Sequence, residues 1–262
     1  MIVVFLCSLP LLGLRLYIAR LQCQYDVLYR FGTCDSFAVY HEPLWPQWFW
    51  QPLAGEAAIS VIGAHLSCWD CAGLGLITEN ELSIIQSWDL KGGLRIKSNL
   101  VDDAVMRRFC GMRRATSLIV EDAMVTDAGL SSLPQLAAAS YLVIDTRLSI
   151  SDEGIAQIVK MPALEHVQLS GRGGLPLTNV GLERLAGKTS LWAIHIDANG
   201  VTNDGLRCLS QLPVLHTLHL NAPLVTPQGI SWLVNSLRLH DLVVNGVRVD
   251  LEAYRYPANP AF

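Results

Sequence analysis

The chain has 262 residues, of which 51% are apolar and 16% charged, with a formal net charge of −4. That balance excludes a disordered chain, because enough apolar surface is present to offset the entropy of ordering. Lysine and arginine are scattered rather than clustered, so no electrostatic footprint for nucleic acid is present.

The first element in chain order is apolar. Ile2 to Leu14 carries no charge, and Leu16 to Ala19 extends the run past Arg15. As a helix the stretch would span roughly 27 Å at about 1.5 Å per residue, close to the hydrocarbon thickness of a bilayer. Residues 1–21 are therefore expected to form a single-pass membrane anchor. Two alternatives stay open. A cleaved signal peptide would want a basic n-region and a small-x-small site, which Arg20-Leu21-Gln22-Cys23 does not supply; an amphipathic soluble helix would be punctuated by Pro10 and Gly13. Arg15, Arg20 and Arg30 on the C-terminal flank favour a cytoplasmic body by the positive-inside tendency, but the side is left unassigned.

Residues 22–76 read as an aromatic-rich spacer and N-terminal cap. Trp45, Trp48, Phe49 and Trp50 crowd a segment broken by Pro43 and Pro46, and Ala57 to Leu66 has the composition of a strand. The cap would cover the edge of the first repeat; a tryptophan belt at a membrane interface is the rival use. The seven cysteines (Cys7, Cys23, Cys34, Cys68, Cys71, Cys110 and Cys208) do not settle the redox compartment. Cys68 and Cys71 form a CxxC with no second pair at zinc-ribbon spacing, so ordinary buried thiols are expected.

From Ile77 to residue 246 the chain repeats. Counting Val201 as position zero, apolar residues fall at Leu206, Leu209, Leu212, Leu215, Leu218 and Leu220, which are offsets 5, 8, 11, 14, 17 and 19. The same template fits completely from Val125 and from Ile150, and more weakly from Ile77, Val101, Leu177 and Val225, with starts 24 to 27 residues apart. Offsets 5, 8 and 11 place one apolar stripe on a short helix, whereas 17 and 19 alternate as a strand does. No unit can bury its own stripe, so the stack is the folding unit. Thr126-Asp127, Ser151-Asp152, Thr178-Asn179 and Thr202-Asn203 supply helix-capping oxygens, and Gly129, Gly154, Gly181, Gly205 and Gly229 recur at offset 4, where a small residue permits close packing. Gly171-Arg172-Gly173-Gly174 lacks the Lys-Ser/Thr of a phosphate loop and reads as an insertion that lengthens the fourth unit. Residues 247–262, with Tyr254, Tyr256, Pro257 and Pro260, read as a C-terminal cap and tail.

The phrases Val-Thr-Asp-Ala-Gly-Leu at 125–130 and Val-Thr-Asn-Asp-Gly-Leu at 201–206 resemble the T-D-x-G-L class of leucine-rich repeats. The plan of apolar helix, aromatic spacer and repeats is similar to the membrane-anchored leucine-rich-repeat proteins of planctomycete bacteria. The resemblance implies an α/β fold, a leucine-rich-repeat solenoid of about seven strand-plus-helix units with a parallel sheet on its concave face, behind an N-terminal hydrophobic helix. It implies a protein or peptide partner in general. No F-box-like segment precedes the repeats, so a ubiquitin-ligase role is not carried over.

Alternation within the strands sends offsets 16, 18 and 20 to the open concave face. The expected partner-binding residues are Arg95, Lys97, Glu121, Tyr141, Asp145, His166, Gln168, His195, Asp197, His219, Asn221, Asp241 and Asn245. Strand spacing puts His195 beside His219. A non-enzymatic, membrane-tethered recognition scaffold without cofactor or metal is the expected function. A self-associating envelope protein and a metal-dependent enzyme centred on His195 and His219 are the alternatives.

Overall fold

A computed structural model describes residues 37–43, 59–67, 92–97, 99, 101–234 and 239–251. The expected anchor at 1–21, most of the 22–76 spacer with its CxxC, the helix of the first repeat and the tail from 252 lie outside the described residues. Among the described residues no helix is long and apolar enough to cross a membrane.

One largely parallel sheet organises what is described. Strands β3 (Gly93–Lys97), β4 (Ser117–Ala123), β5 (Tyr141–Thr146), β6 (His166–Gly171), β8 (Ala193–Gly200), β9 (Thr217–Asn221) and β10 (Asp241–Val244) lie side by side in that order. A short strand β7 (Leu175–Thr178) pairs with β8 off this path. It follows the Gly171–Gly174 turn, where Gly173 and Gly174 have φ of 81° and 83°, the left-handed region that glycine occupies freely. The insertion thus adds a turn and a strand. At the N-terminal margin β1 (Phe37–Pro43) pairs antiparallel with β2 (Ile59–Ser67), and β2 pairs parallel with β3. At the other margin β11 (Val247–Arg248) folds back on β10. The intervening Asn245-Gly246 has φ of 52° and 76°, the two-residue hairpin turn that Asn-Gly favours.

The strand register keeps equal offsets opposite one another. Leu118 lies beside Leu142, Leu142 beside Val167, Ile194 beside Leu218 and Leu218 beside Leu242. All of these are buried, and together with the helix residues they make one continuous apolar interior. Full burial of each such side chain contributes about 1.5–3 kcal/mol, so the shared core is the main stabilising term.

Among the described residues the helices are Asp103–Phe109, Asp127–Leu130, Asp152–Ile158, Asn179–Ala186, Asn203–Leu209 and Pro227–Val234. They differ from the expected three-residue stripe in one respect. Helices such as Asp152–Ile158 and Asn203–Leu209 stop at offset 8, so the offset-11 residues Met161 and Leu212 are buried from the turn that follows. Asp127–Leu130 is shorter still, and a 3-10 turn Leu133–Gln135 takes over. Pro134 has no N–H to offer the carbonyl a turn earlier, which ends the α-helix there.

The Thr/Ser-Asp/Asn pairs at the helix starts do more than cap. Thr126, Ser151 and Thr178 accept hydrogen bonds from backbone N–H groups of their own helices, from Ala128 at 3.3 Å, Glu153 at 3.2 Å and Val180 at 3.2 Å. The acidic residue reaches into the next unit instead. Asp103 accepts from Thr126 N–H and Oγ1, both at 2.7 Å; Asp127 accepts from Ser151 N–H at 2.9 Å and Oγ at 2.6 Å; Asp152 accepts from Thr178 N–H at 3.0 Å and Oγ1 at 2.6 Å. Asn179 and Asn203 continue the series to Thr202 and Thr226, accepting at Oδ1 from the backbone and donating from the amide to the hydroxyl. Six successive units are thereby stitched along their helix starts. At the last of them Pro227 stands where the acceptor would be.

The recurring glycine follows from the same contact. A Cβ placed on Gly129, Gly154, Gly181, Gly205 or Gly229 would lie 2.3 to 2.6 Å from the Oδ1 of the preceding unit's Asp or Asn.

Candidate functional site

The sheet's open face is built as alternation requires. Three rows cross the strands. The offset-16 row runs Ser117, Tyr141, His166, Ala193, Thr217, Asp241; the offset-18 row runs Arg95, Ile119, Val143, Gln168, His195, His219, Val243. The offset-20 row holds Lys97 beside Glu121, Asp145 beside Ser170, and Asp197 beside Asn221.

These rows separate the expected residues into two groups. Arg95 and Glu121 pair with each other at 2.9 Å, with Lys97 alongside, at the β3–β4 end. Ile119 and Val143 then interrupt the polar row. Beyond them the face becomes rich in imidazole. Tyr141 stacks on His166 with ring centroids 4.0 Å apart, His166 meets His195 edge-on at 5.1 Å, and His195 stacks on His219 at 4.1 Å. Gln168, His195, Asp197, His219, Asn221 and Asn245 line an open depression of about 430 Å³. Asn245 helps close its rim: its left-handed backbone aims Oδ1 at the Ala222 N–H, 2.7 Å away.

His166 is on the expected row, but its side chain is not displayed. It is 5% exposed, sandwiched by Tyr141, His195 and Trp192, and neither ring nitrogen has a hydrogen-bonding partner among the described residues. Its burial, helped by the neighbouring His195, pushes its pKa down to about 4. Burial likewise lowers His195, with His219 adding to the effect.

The consequence for stability has a definite sign. His166 stays neutral in the fold, whereas in the unfolded chain it takes a proton near pH 6.5. The unfolded state therefore binds more protons, and stability falls as pH drops from about 6.5 towards about 4. Urea midpoints measured across that interval should fall less steeply for His166→Phe than for wild type. His195 acts in the same direction in both proteins, so parallel curves would remove His166 from the account.

Asp241 is the partner of His219, with Nε2 to Oδ2 at 2.8 Å, and of Arg248 at 2.9 Å. The His219 hydrogen bond, more than Arg248, holds its carboxyl below the ordinary carboxylate range. Asp197 is displaced the other way: burial raises it and Asp145 adds to the rise, against a hydrogen bond from Asn221. Asp145 accepts from Ser170 Oγ at 3.1 Å.

Stacking limits what the two histidines can do. Their rings are 18° from parallel, so in-plane lone pairs lie in separate layers and do not converge on one ion. Among the described residues no group of three His, Cys, Asp or Glu side chains could hold a metal. Cys110 is buried, which pushes its thiol up to about 12, far from a reactive thiolate.

Several residues of this face were not singled out by spacing. Trp192, 41% exposed, stands in the turn before β8, where its backbone N–H donates to the Glu165 carbonyl at 2.9 Å and its backbone carbonyl accepts from the His216 backbone N–H at 2.8 Å. The signal existed: offset 15 carries Glu165, Trp192, His216 and His240, a polar and aromatic set that does not belong inside. Asp122 has no such signal. It sits at a register shift in β4 with φ of 58°, and ion-pairs with Arg147 and, at 3.4 Å, with Arg172. The Arg147 hydrogen bond holds its carboxyl below the usual range.

No protein-family model matches the chain, and no curated protein matches it in sequence. Among solved structures it is similar to the internalin inlF of Listeria monocytogenes, at 19% identity and a TM-score of 0.42, over 71% of this chain and 56% of that one. The chain thus spans little more than half of that protein's length.

Proposed function

We propose that the chain is a non-enzymatic recognition scaffold that holds a protein or peptide against the concave face between β5 and β10, tethered to a membrane by residues 1–21. The observation that carries this reading is the depression beside the Tyr141–His166–His195–His219 aromatic array, framed by amide and carboxylate side chains. Rigid, part-buried rings with adaptable polar neighbours are what a protein contact uses for anchoring and register. The backbone beneath them is committed to the ladder, so these side chains are held without loop rearrangement.

The test is cross-linking and capture from native membranes with the full chain. A variant combining Tyr141→Ala, His195→Ala and His219→Ala is expected to lose at least about tenfold of the captured partner while its circular dichroism is kept. The wild-type chain should also stay in the membrane pellet through an alkaline carbonate wash. Undiminished capture by the triple variant would refute the concave site, and release by carbonate would refute the anchor.

A further inference from the structure

We propose that the depression across β6, β8 and β9 receives a cationic side chain of the bound protein or peptide, an arginine guanidinium, with Asp197 as its counter-ion. The inference rests on the recognition reading above and names the chemistry of the contact.

Charge matching on the face leads to it. Glu121 is matched by Arg95, Asp122 by Arg147 and Arg172, and Asp241 by His219 and Arg248. Asp197 has the Asn221 amide beside it and Asp145, another carboxylate, as the neighbouring charge that acts on it. It is the acid that lines the depression, and no lysine or arginine lines it. A part-buried carboxylate without a base is costly, and a cation entering the depression relieves that cost. An anion would find no lysine or arginine there and would face Asp197.

The shape of the site favours guanidinium over ammonium. Guanidinium is planar, weakly hydrated and donates two parallel bonds to a carboxylate. With Asp197 the depression is lined by the stacked, flat imidazoles of His195 and His219 and by the amides of Asn221 and Asn245. The Asn245 side-chain oxygen is already engaged with the Ala222 N–H, and the Asn221 amide donates to Asp197, so Asp197 is the charged acceptor among the groups that line the depression. Burial lowers His195, which disfavours a competing positive charge beside Asp197.

A positional-scanning hexapeptide library with citrulline among its building blocks, probed with the full chain in detergent, tests this directly. Citrulline keeps the shape of arginine without its charge. Wild type is expected to select arginine over citrulline by about tenfold or more at one position, as a charge-assisted bond to a part-buried carboxylate requires. Asp197→Asn should lose that preference with an unchanged melting temperature, and Glu183→Gln, on the exposed side of the helix Asn179–Ala186, should keep it. Selection of acidic residues, equal selection of citrulline, no arginine preference, or a preference that survives Asp197→Asn would each overturn the inference. The recognition reading is decided separately by the triple variant: if that variant loses its partner while Asp197→Asn keeps it, recognition stands and the cationic contact falls.

Discussion

Asp127→Ala is expected to destabilise the chain by about 2–4 kcal/mol, a large effect for a residue outside the core. The Asp127 carboxylate accepts from Ser151 N–H at 2.9 Å and from Ser151 Oγ at 2.6 Å, across the joint between two units. Hydrogen bonds to a charged group contribute about 1.5–3 kcal/mol each, less than additively for two on one carboxylate. Removal also leaves the Ser151 backbone N–H without its acceptor. Because each unit in a solenoid touches chiefly its neighbours, the damage should be local. Amide hydrogen exchange is expected to rise first around residues 127–158, and urea unfolding should give the free-energy change. Asp127→Asn should cost less, about 1 kcal/mol. Asparagine at 179 serves this role, but its amide donates to the Thr202 hydroxyl, and Thr202 makes no capping bond to its own helix. A loss below about 0.5 kcal/mol for Asp127→Ala would show the stitch to be incidental.

Gly154→Ala is the second large effect, and its sign opposes helix propensity. In an exposed helix interior alanine is better than glycine by about 0.8–1.0 kcal/mol. Here a Cβ would lie 2.4 Å from Asp127 Oδ1 and 2.7 Å from Ile150 Cγ2. That oxygen accepts from the Ser151 N–H and its carboxylate partner Oδ2 accepts from Ser151 Oγ, and the Ile150 side chain is fully buried, so neither neighbour yields without loss elsewhere. Overpacking of this kind costs about 1–3 kcal/mol, and a net loss near the upper part of that range is expected. Combining Gly154→Ala with Asp127→Ala should cost clearly less than the sum of the single changes, because the added methyl fills space that the carboxylate leaves. Thermal melts of the four proteins check this. An unchanged or raised melting temperature for Gly154→Ala would overturn the steric reading.

These two residues show why so much of the fold was legible in the spacing. Period-two alternation at offsets 17 and 19 forces Leu218 and Leu220 inward and His219 outward, and the structure buries both leucines and leaves His219 on the face. The equal-offset register then puts His195 against His219. Properties that depend on neighbours from other rungs were less accessible. The burial of His166 comes from Tyr141, opposite it in the same row, together with Trp192, which reaches it from the turn before the next strand. The β4 irregularity at Asp122 leaves no trace in the repeat length. The early end of the Asp127–Leu130 helix and the Asn245-Gly246 hairpin had local signals, Pro134 and Asn-Gly, which an apolar template passes over because neither residue is apolar. The split of the open sheet face into a self-paired charged end and an imidazole end needed the ion pairs as well as the spacing.

The stitching residues also give the array a direction of growth. A cassette duplicated between Asp152 and Thr178 would inherit a hydroxyl to offer its predecessor and a carboxylate to offer its successor, so both new seams would close at once. A cassette appended after Thr226-Pro227 would meet a ring with nothing to extend, and its first residue would dock on hydrocarbon. Lengthening by internal copying is therefore compatible with this chemistry, whereas lengthening at the C-terminal end requires Pro227 to change first.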